Sequence, residues 1–257
     1  MIDLRLPRSL AVDYHSPSQR ARVVTEHWVA NNTVCPVCAQ SITKTQNNSP
    51  GLDFVCNLCK LSFELKSKRG LFGNKLPDGA YESMIRKIMH GTHSNFFLLS
   101  YDSDYYVTNL VLVPKRFIVS EMIERRKPLR EGTRRAGWTG CSIRVSLLPA
   151  AGKIAYIKDK WVVPTEAVLA QWRETNFLDS VSISSRGWLV AVMKCVERMD
   201  KHEFTLQEVY EFIPYLESLF PRNKHIKEKI RQQLQVLRDQ GWLTFHGNGK
   251  YEQIVAH

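Results

Sequence analysis

The chain has 257 residues, 44% hydrophobic and 10% aromatic. That is enough to bury a sizeable core in one large domain or two ordinary ones, so a folded, soluble protein is expected, and no apolar run approaches the length of a bilayer span. A formal net charge of +11 points to an anionic partner. Two segments concentrate it: eight Lys/Arg against three Glu from Lys115 to Arg135, and six against one from Arg222 to Arg238. Each is either a contact surface or a solvated helix face. The N-terminal MIDLRLPRSLAVDYHS carries Asp3, Arg5 and Arg8 and lacks the apolar stretch of a secretory signal, so a cytoplasmic location is expected.

In chain order, Ser16 is placed to cap a helix over about 17–30. Pro17 takes its first position, Gln19 completes a capping box, and Val23, Val24, Trp28 and Val29 recur at helical spacing. DFVC and LSFELKS read as strands, AYESMIRKIMHG as a helix, and NFFLLSYD and VTNLVLVPK as two further strands. A stretch rich in Arg and Gly, Arg125 to Gly140, precedes a strand pair around KIAYIKDKWVV that turns at Lys158-Asp159-Lys160. From about Ser180 the pattern changes. RGWLVAVMKCVERM, FTLQEVYEFIPYL and HIKEKIRQQLQVLRDQG are helical by period; in the third, Ile226, Ile230, Leu234 and Leu237 form one stripe and Gly241 closes the helix. WLTFHGNGKYEQI is then a strand, a Gly-Asn-Gly turn and a strand.

Three helices followed by a hairpin predict a winged helix, whose third helix enters the DNA major groove. Its solvent face carries Lys224, His225, Lys227, Lys229, Arg231 and Gln232, a mixture of phosphate-binding charges and side chains able to read base edges. A protein-docking module is the alternative reading of the same arrangement.

Cys35-Pro-Val-Cys38 and Cys56-Asn-Leu-Cys59 are separated by seventeen residues, the spacing of a four-thiolate zinc site. Four thiolates leave no open position for water, so such a site is structural. Four buried free thiols are the other reading; Cys141 and Cys195 read as ordinary core residues. In Glu64-Leu65-Lys66 on a strand, Glu64 and Lys66 share a face, and Asp53 joins them if its strand pairs alongside. Two carboxylates and a lysine around one point suit Mg²⁺ and the activation of a water toward a phosphate, with the cysteines stapling the turn between the strands. An exposed strand of mixed charge is the plainer alternative.

The order helix, Asp53 strand, Glu64-x-Lys66 strand, helix, strand resembles the PD-(D/E)xK nuclease core, with Leu52-Asp53 where that family often has Pro-Asp. QRARVVTEHWV, CPVC, DFVCNLC, FELKSK, RRAGWTGC, SSRGW and HIKEKIRQQLQVLRD, read together, extend the likeness over nearly the whole chain, to the methyl-directed type II restriction endonucleases of that family. The resemblance implies an α/β (α+β) fold, with a catalytic domain over residues 1–180 holding the four-cysteine zinc site and a winged-helix domain over 181–257. It implies a prokaryotic enzyme that needs Mg²⁺ and cuts double-stranded DNA at GATC when the adenine is N6-methylated, a monomer with no required protein partner and no membrane. Residue by residue, Asp53, Glu64 and the Leu65 carbonyl fall on the family's Mg²⁺ ligands and Lys66 on its catalytic lysine. Trp138, beside Arg134 and Arg135, falls on a tryptophan that lies close to the methylated adenine; read from the residues alone, it is a core aromatic or the tip of an exposed loop. The rival readings are a zinc-stabilised winged-helix regulator without catalysis, and a nuclease of the same core with another target.

Overall fold

The structure is a computed structural model that describes residues 2–46 and 51–254. It divides into two compact units: one of residues 1–76, 90–118 and 152–176, the other of 77–89, 119–151 and 177–257.

The first unit is built on a seven-stranded sheet. Its strands, in chain order, are β1 (Ile42–Lys44), β2 (Phe54–Cys56), β3 (Ser62–Arg69), then, beyond β4 (Leu76–Ala80), β5 (Asn95–Tyr101), β6 (Val107–Val113) and, beyond β7 (Ile123–Arg125) and β8 (Gly140–Ile143), β9 (Ile154–Lys158) and β10 (Trp161–Val162). The spatial order is β1-β2-β3-β5-β6-β9-β10. β3 and β5 run parallel, with Phe63 opposite Asn95 and Arg69 opposite Tyr101, and the other neighbours are antiparallel. A parallel pair needs a crossover, and the chain makes it through residues 77–89 of the second unit. The wholly buried NFFLLSY of β5 suits a central strand. α1 (Pro17–Asn32) lays Val24, Trp28 and Val29 on the sheet against Phe54, Phe63 and Phe97, and Phe63 stacks on Phe97 at 5.0 Å between centroids. Burying such side chains contributes about 1.5–3 kcal/mol each. α3 (Thr165–Glu174), which the sequence pattern did not mark, closes the core with Val168 and Trp172.

The start of α1 lies where the spacing predicts, with Pro17 at its first position, but the capping box does not form. The Ser16 side chain accepts from no backbone N–H of the helix; its hydroxyl lies 2.8 Å from that of Ser18 instead.

In the second unit, α2 (Tyr81–Met89) packs on β7 and β8 of a sheet ordered β4-β8-β7. The remainder is α4 (Ile183–Arg198), α5 (Leu206–Tyr210), α6 (Ile213–Leu219), α7 (Ile226–Asp239) and a sheet ordered β11-β13-β12 from β11 (Glu203–Thr205), β12 (Leu243–Phe245) and β13 (Lys250–Gln253). The single helix expected over FTLQEVYEFIPYL is therefore a strand and two short helices. Phe204 pairs across to Tyr251 in the sheet, and Pro214 sits in the first turn of α6, which restarts the helix. All four apolar residues of the α7 stripe are buried, Gly241 has φ +71° just past the helix, and Gly247, Asn248 and Gly249 turn the hairpin with positive φ.

A capping box does form at α5. Thr205 Oγ1 accepts from Glu208 N–H at 3.3 Å, and Glu208 Oε2 accepts from Thr205 N–H at 2.7 Å. Lys201, then Thr205, hold the Glu208 carboxyl down to about 2. Thr205→Ala is expected to cost about 1 kcal/mol and to lower the unfolding midpoint by a few degrees, read by calorimetry. The Glu208 contribution is full above the ordinary carboxylate range and is lost as pH falls through about 2. No helix among the described residues is long and apolar enough to cross a membrane.

Candidate active site and nucleic-acid interface

Asp53 lies where the β2/β3 ladder ends. Phe54 pairs with Phe63, Asp53 N–H donates to the Phe63 carbonyl at 2.9 Å, and the next free donor of β3, Leu65 N–H, is taken at 2.7 Å by Asp53 Oδ2. One step of the ladder is thus made by a side chain, which pins the carboxylate beside Glu64-Leu65-Lys66. Alternation along β3 does the rest: Phe63 and Leu65 pack toward the core, and Lys66 Nζ meets Glu64 Oε1 at 2.5 Å. Lys66 Nζ also lies 5.6 Å from the Phe96 ring centroid. Both side chains are about four-fifths buried, so water screens their charges less than it screens surface pairs.

Burial pushes the Asp53 carboxyl above its ordinary value. The Leu65 N–H opposes that, the negative charge of Glu26 adds to it, and Arg22 and Lys66 oppose it further. Glu26 is the residue the sequence reading missed. It is 4% exposed, on α1, with Arg22 Nε at 2.5 Å from Oε1 and Lys44 Nζ at 2.8 Å from Oε2. A glutamate inside the Val24/Trp28 stripe, four residues after an arginine, was the signal available. Asp53 and Glu64 offer carboxylate oxygens, the ligand type Mg²⁺ prefers, and a divalent cation beside Asp53 would offset the burial that disfavours its charge.

The four cysteines come together. Their sulfurs lie within 4.8 Å of one another, against about 3.8 Å for thiolates around a zinc with bonds of about 2.3 Å. Each Cys-x-x-Cys closes a tight turn whose following residue is left-handed, Ala39 at φ 57° and Lys60 at φ 58°. Their amides donate back to the Cys35 and Cys56 carbonyls at 3.0 and 2.8 Å. The second turn is the one that joins β2 to β3, so a zinc held here fixes the strands that carry Asp53 and Glu64. The residues fit zinc. Cys141 and Cys195 are buried in the second unit, apart from the cluster, as expected for core residues.

Trp138 ends a loop closed by Leu129 N–H to the Trp138 carbonyl (2.9 Å) and Gly137 N–H to the Leu129 carbonyl (3.1 Å). It is half-buried, and its ring lies so close to Gly140 that a Cβ there would meet Trp138 Cη2 at 2.9 Å. Arg134 and Arg135 are exposed on the same loop. Lys224 and His225, just before α7, and Lys227, Arg231 and Gln232 on its N-terminal half are exposed, and Glu228 and Arg231 form an ion pair at 3.4 Å.

A family model described as DpnI, Dam-replacing family, matches residues 2–181, and one described as Dam-replacing HTH domain matches residues 184–253.

Proposed function

The chain belongs to the DpnI, or Dam-replacing, family, and from that premise we propose that it is a restriction endonuclease cutting double-stranded DNA at GATC sites that contain N6-methyladenine, by Mg²⁺-dependent hydrolysis of the phosphodiester. The observation that carries the catalytic half is the Asp53 carboxylate fixed on Leu65 N–H at 2.7 Å, beside Glu64 and Lys66. The methyl specificity is supported by the family and by the likeness of RRAGWTGC and SSRGW to methyl-directed enzymes. Residues 1–180 are read as the catalytic domain and 181–257 as the winged-helix domain, a division supported by the limits of the two family matches.

Asp53, Glu64 and the Leu65 carbonyl would hold Mg²⁺, which when bound supplies positive charge beside the scissile phosphate. Lys66, paired with Glu64, would orient the attacking water and take part in its deprotonation. The Leu65 N–H keeps Asp53 oriented before substrate arrives, so little is spent on ordering it during the reaction. The exposed face of α7 supplies groove contacts, Lys224, Lys227 and Arg231 to phosphates and His225 and Gln232 to base edges.

Trp138 is assigned to the adenine methyl, which an indole can pack against without offering it a hydrogen bond. Trp138→Ala is expected to reduce the ratio of methylated to unmethylated cleavage rates by about tenfold. The measurement is single-turnover cleavage of paired oligonucleotides, and an unchanged ratio returns Trp138 to a packing role on Gly140. The enzyme is expected to act as a monomer without a partner protein.

A further inference from the structure

On the first unit, Arg8 and Arg20 line a cavity of about 330 Å³ with Tyr105, Ala11, Val12 and Val24. Its floor is apolar, because Ala11 and Val24 are buried, and its rim is cationic, because both arginines are exposed. Arg8 lies over the Tyr105 ring at 4.7 Å, and Arg20 Nε donates to the Tyr14 carbonyl. Neither forms an ion pair among the described residues.

The same chemistry continues beside the cavity. Arg5 and Lys160 lie 5.9 and 5.7 Å from the ring centroid of Tyr106, and the next residue after Lys160 is Trp161, which is 81% exposed and opens β10 opposite Lys158. That hairpin is pinned. Lys160 N–H donates to the Thr108 carbonyl at 2.8 Å and Asp159 N–H to Asn109 Oδ1 at 3.0 Å, so Trp161 is presented by a fixed turn. Asp102 is taken up by Lys160 Nζ at 2.9 Å. Cations set beside the rings of Tyr105 and Tyr106 match a nucleic-acid backbone, whose phosphates meet the cations and whose sugars meet the aromatic side chains. A cavity of this volume is at the lower end of the range for bound ligands, about the size of a single nucleotide unit. Arg20 is also six residues from Glu26 on α1, about 9 Å along the helix, so the cavity lies on the helix that flanks Asp53.

We infer that this cavity takes a phosphodiester of the DNA duplex outside the cleaved GATC, and that the Tyr106–Trp161 strip continues the contact along the flanking backbone. The inference rests on reading the chain as an enzyme of duplex DNA, and it adds a contact that positions the substrate without reading its sequence.

The test is fluorescence anisotropy of the full chain, without Mg²⁺, on a labelled methylated duplex at a series of NaCl concentrations. Wild type is compared with Arg8→Ala/Arg20→Ala and with Arg8→Lys/Arg20→Lys. The alanine pair is expected to lower the slope of log affinity against log salt by about 1–2, at about 0.9 per phosphate lost. It should also weaken methylated and unmethylated duplexes by the same factor, while the lysine pair keeps most of the slope. An alanine pair with wild-type slope and affinity overturns the inference. So does a cavity that dAMP protects in thermal melting, with the protection lost in the alanine pair and the slope unchanged. If wild type itself shows no salt-dependent affinity for DNA, the reading as a DNA enzyme falls with it; a binding wild type matched by its variant sinks the cavity alone.

Discussion

Asp53→Asn is expected to lower cleavage by about 10³-fold or more while leaving affinity for the methylated duplex within a few-fold of wild type. Asparagine keeps an oxygen that can accept the Leu65 N–H now bound at 2.7 Å, so the variant removes the charge without emptying the position. It is also expected to melt no lower than wild type in the absence of Mg²⁺. Burial pushes the Asp53 carboxyl up, and an acid whose folded value is raised stabilises the protein below its ordinary range; that contribution is lost as pH rises through the raised value. Above that raised value the ionised Asp53 therefore detracts from stability until a cation offsets it. Mg²⁺ is expected to raise the melting temperature of wild type and not of Asp53→Asn. A variant that cuts near the wild-type rate would remove Asp53 from the site, and equal Mg²⁺ shifts in both proteins would separate the cation from it.

Loss of the zinc cluster is expected to have the second-largest effect. Cys56→Ser is expected to release the metal, lower the melting temperature sharply and abolish cleavage, whereas Cys141→Ser and Cys195→Ser retain the metal. Structural zinc contributes about 10–16 kcal/mol to the folding of small metal-dependent domains. Here the sheet core and the bonds of the β2–β3 turn, Cys56 N–H to the Leu61 carbonyl at 2.9 Å among them, bear part of the load, and the chain runs from Asp53 through Cys56 and Cys59 back to Glu64 within a dozen residues. Burial pushes the Cys35 thiol up to about 12, so without a metal that thiol is protonated at neutral pH. Metal content by atomic absorption, read beside calorimetry, decides the matter. One zinc per chain lost with Cys56 is the expected result; a zinc-free active enzyme, or a Cys56→Ser variant with unchanged melting, would contradict it.

Which parts of this were legible in the sequence follows from the range of the interactions. The α7 stripe, the buried run of β5 and the turn signals of the C-terminal hairpin are written locally, and they appear where the periodicity puts them. The Cys-x-x-Cys spacing was equally plain, because a tetrahedral thiolate site restricts which separations work. Asp53 and Glu64 needed one further assumption, that β2 pairs with β3, and the register Phe54 to Phe63 supplies it. What could not be read depends on tertiary partners. Glu26 is an ordinary i, i+4 partner of Arg22 until Lys44 and Asp53 are brought beside it. The cavity under Arg8 and Arg20 needs Tyr105, 97 and 85 residues further along the chain. Competition between local signals accounts for the capping errors. Ser16 and Gln19 had the pattern but Ser18 took the hydroxyl, while Thr205-x-x-Glu208 formed the box inside a segment whose apolar period suggested one continuous helix.

The most direct test of the central claim is digestion of one plasmid bearing GATC sites, prepared with and without adenine methylation, in Mg²⁺ and then in EDTA. Cutting of the methylated plasmid alone, abolished by EDTA, is the expected result. Cutting of both plasmids would contradict the methyl specificity, and shifted bands with no cutting in Mg²⁺ would contradict the nuclease itself.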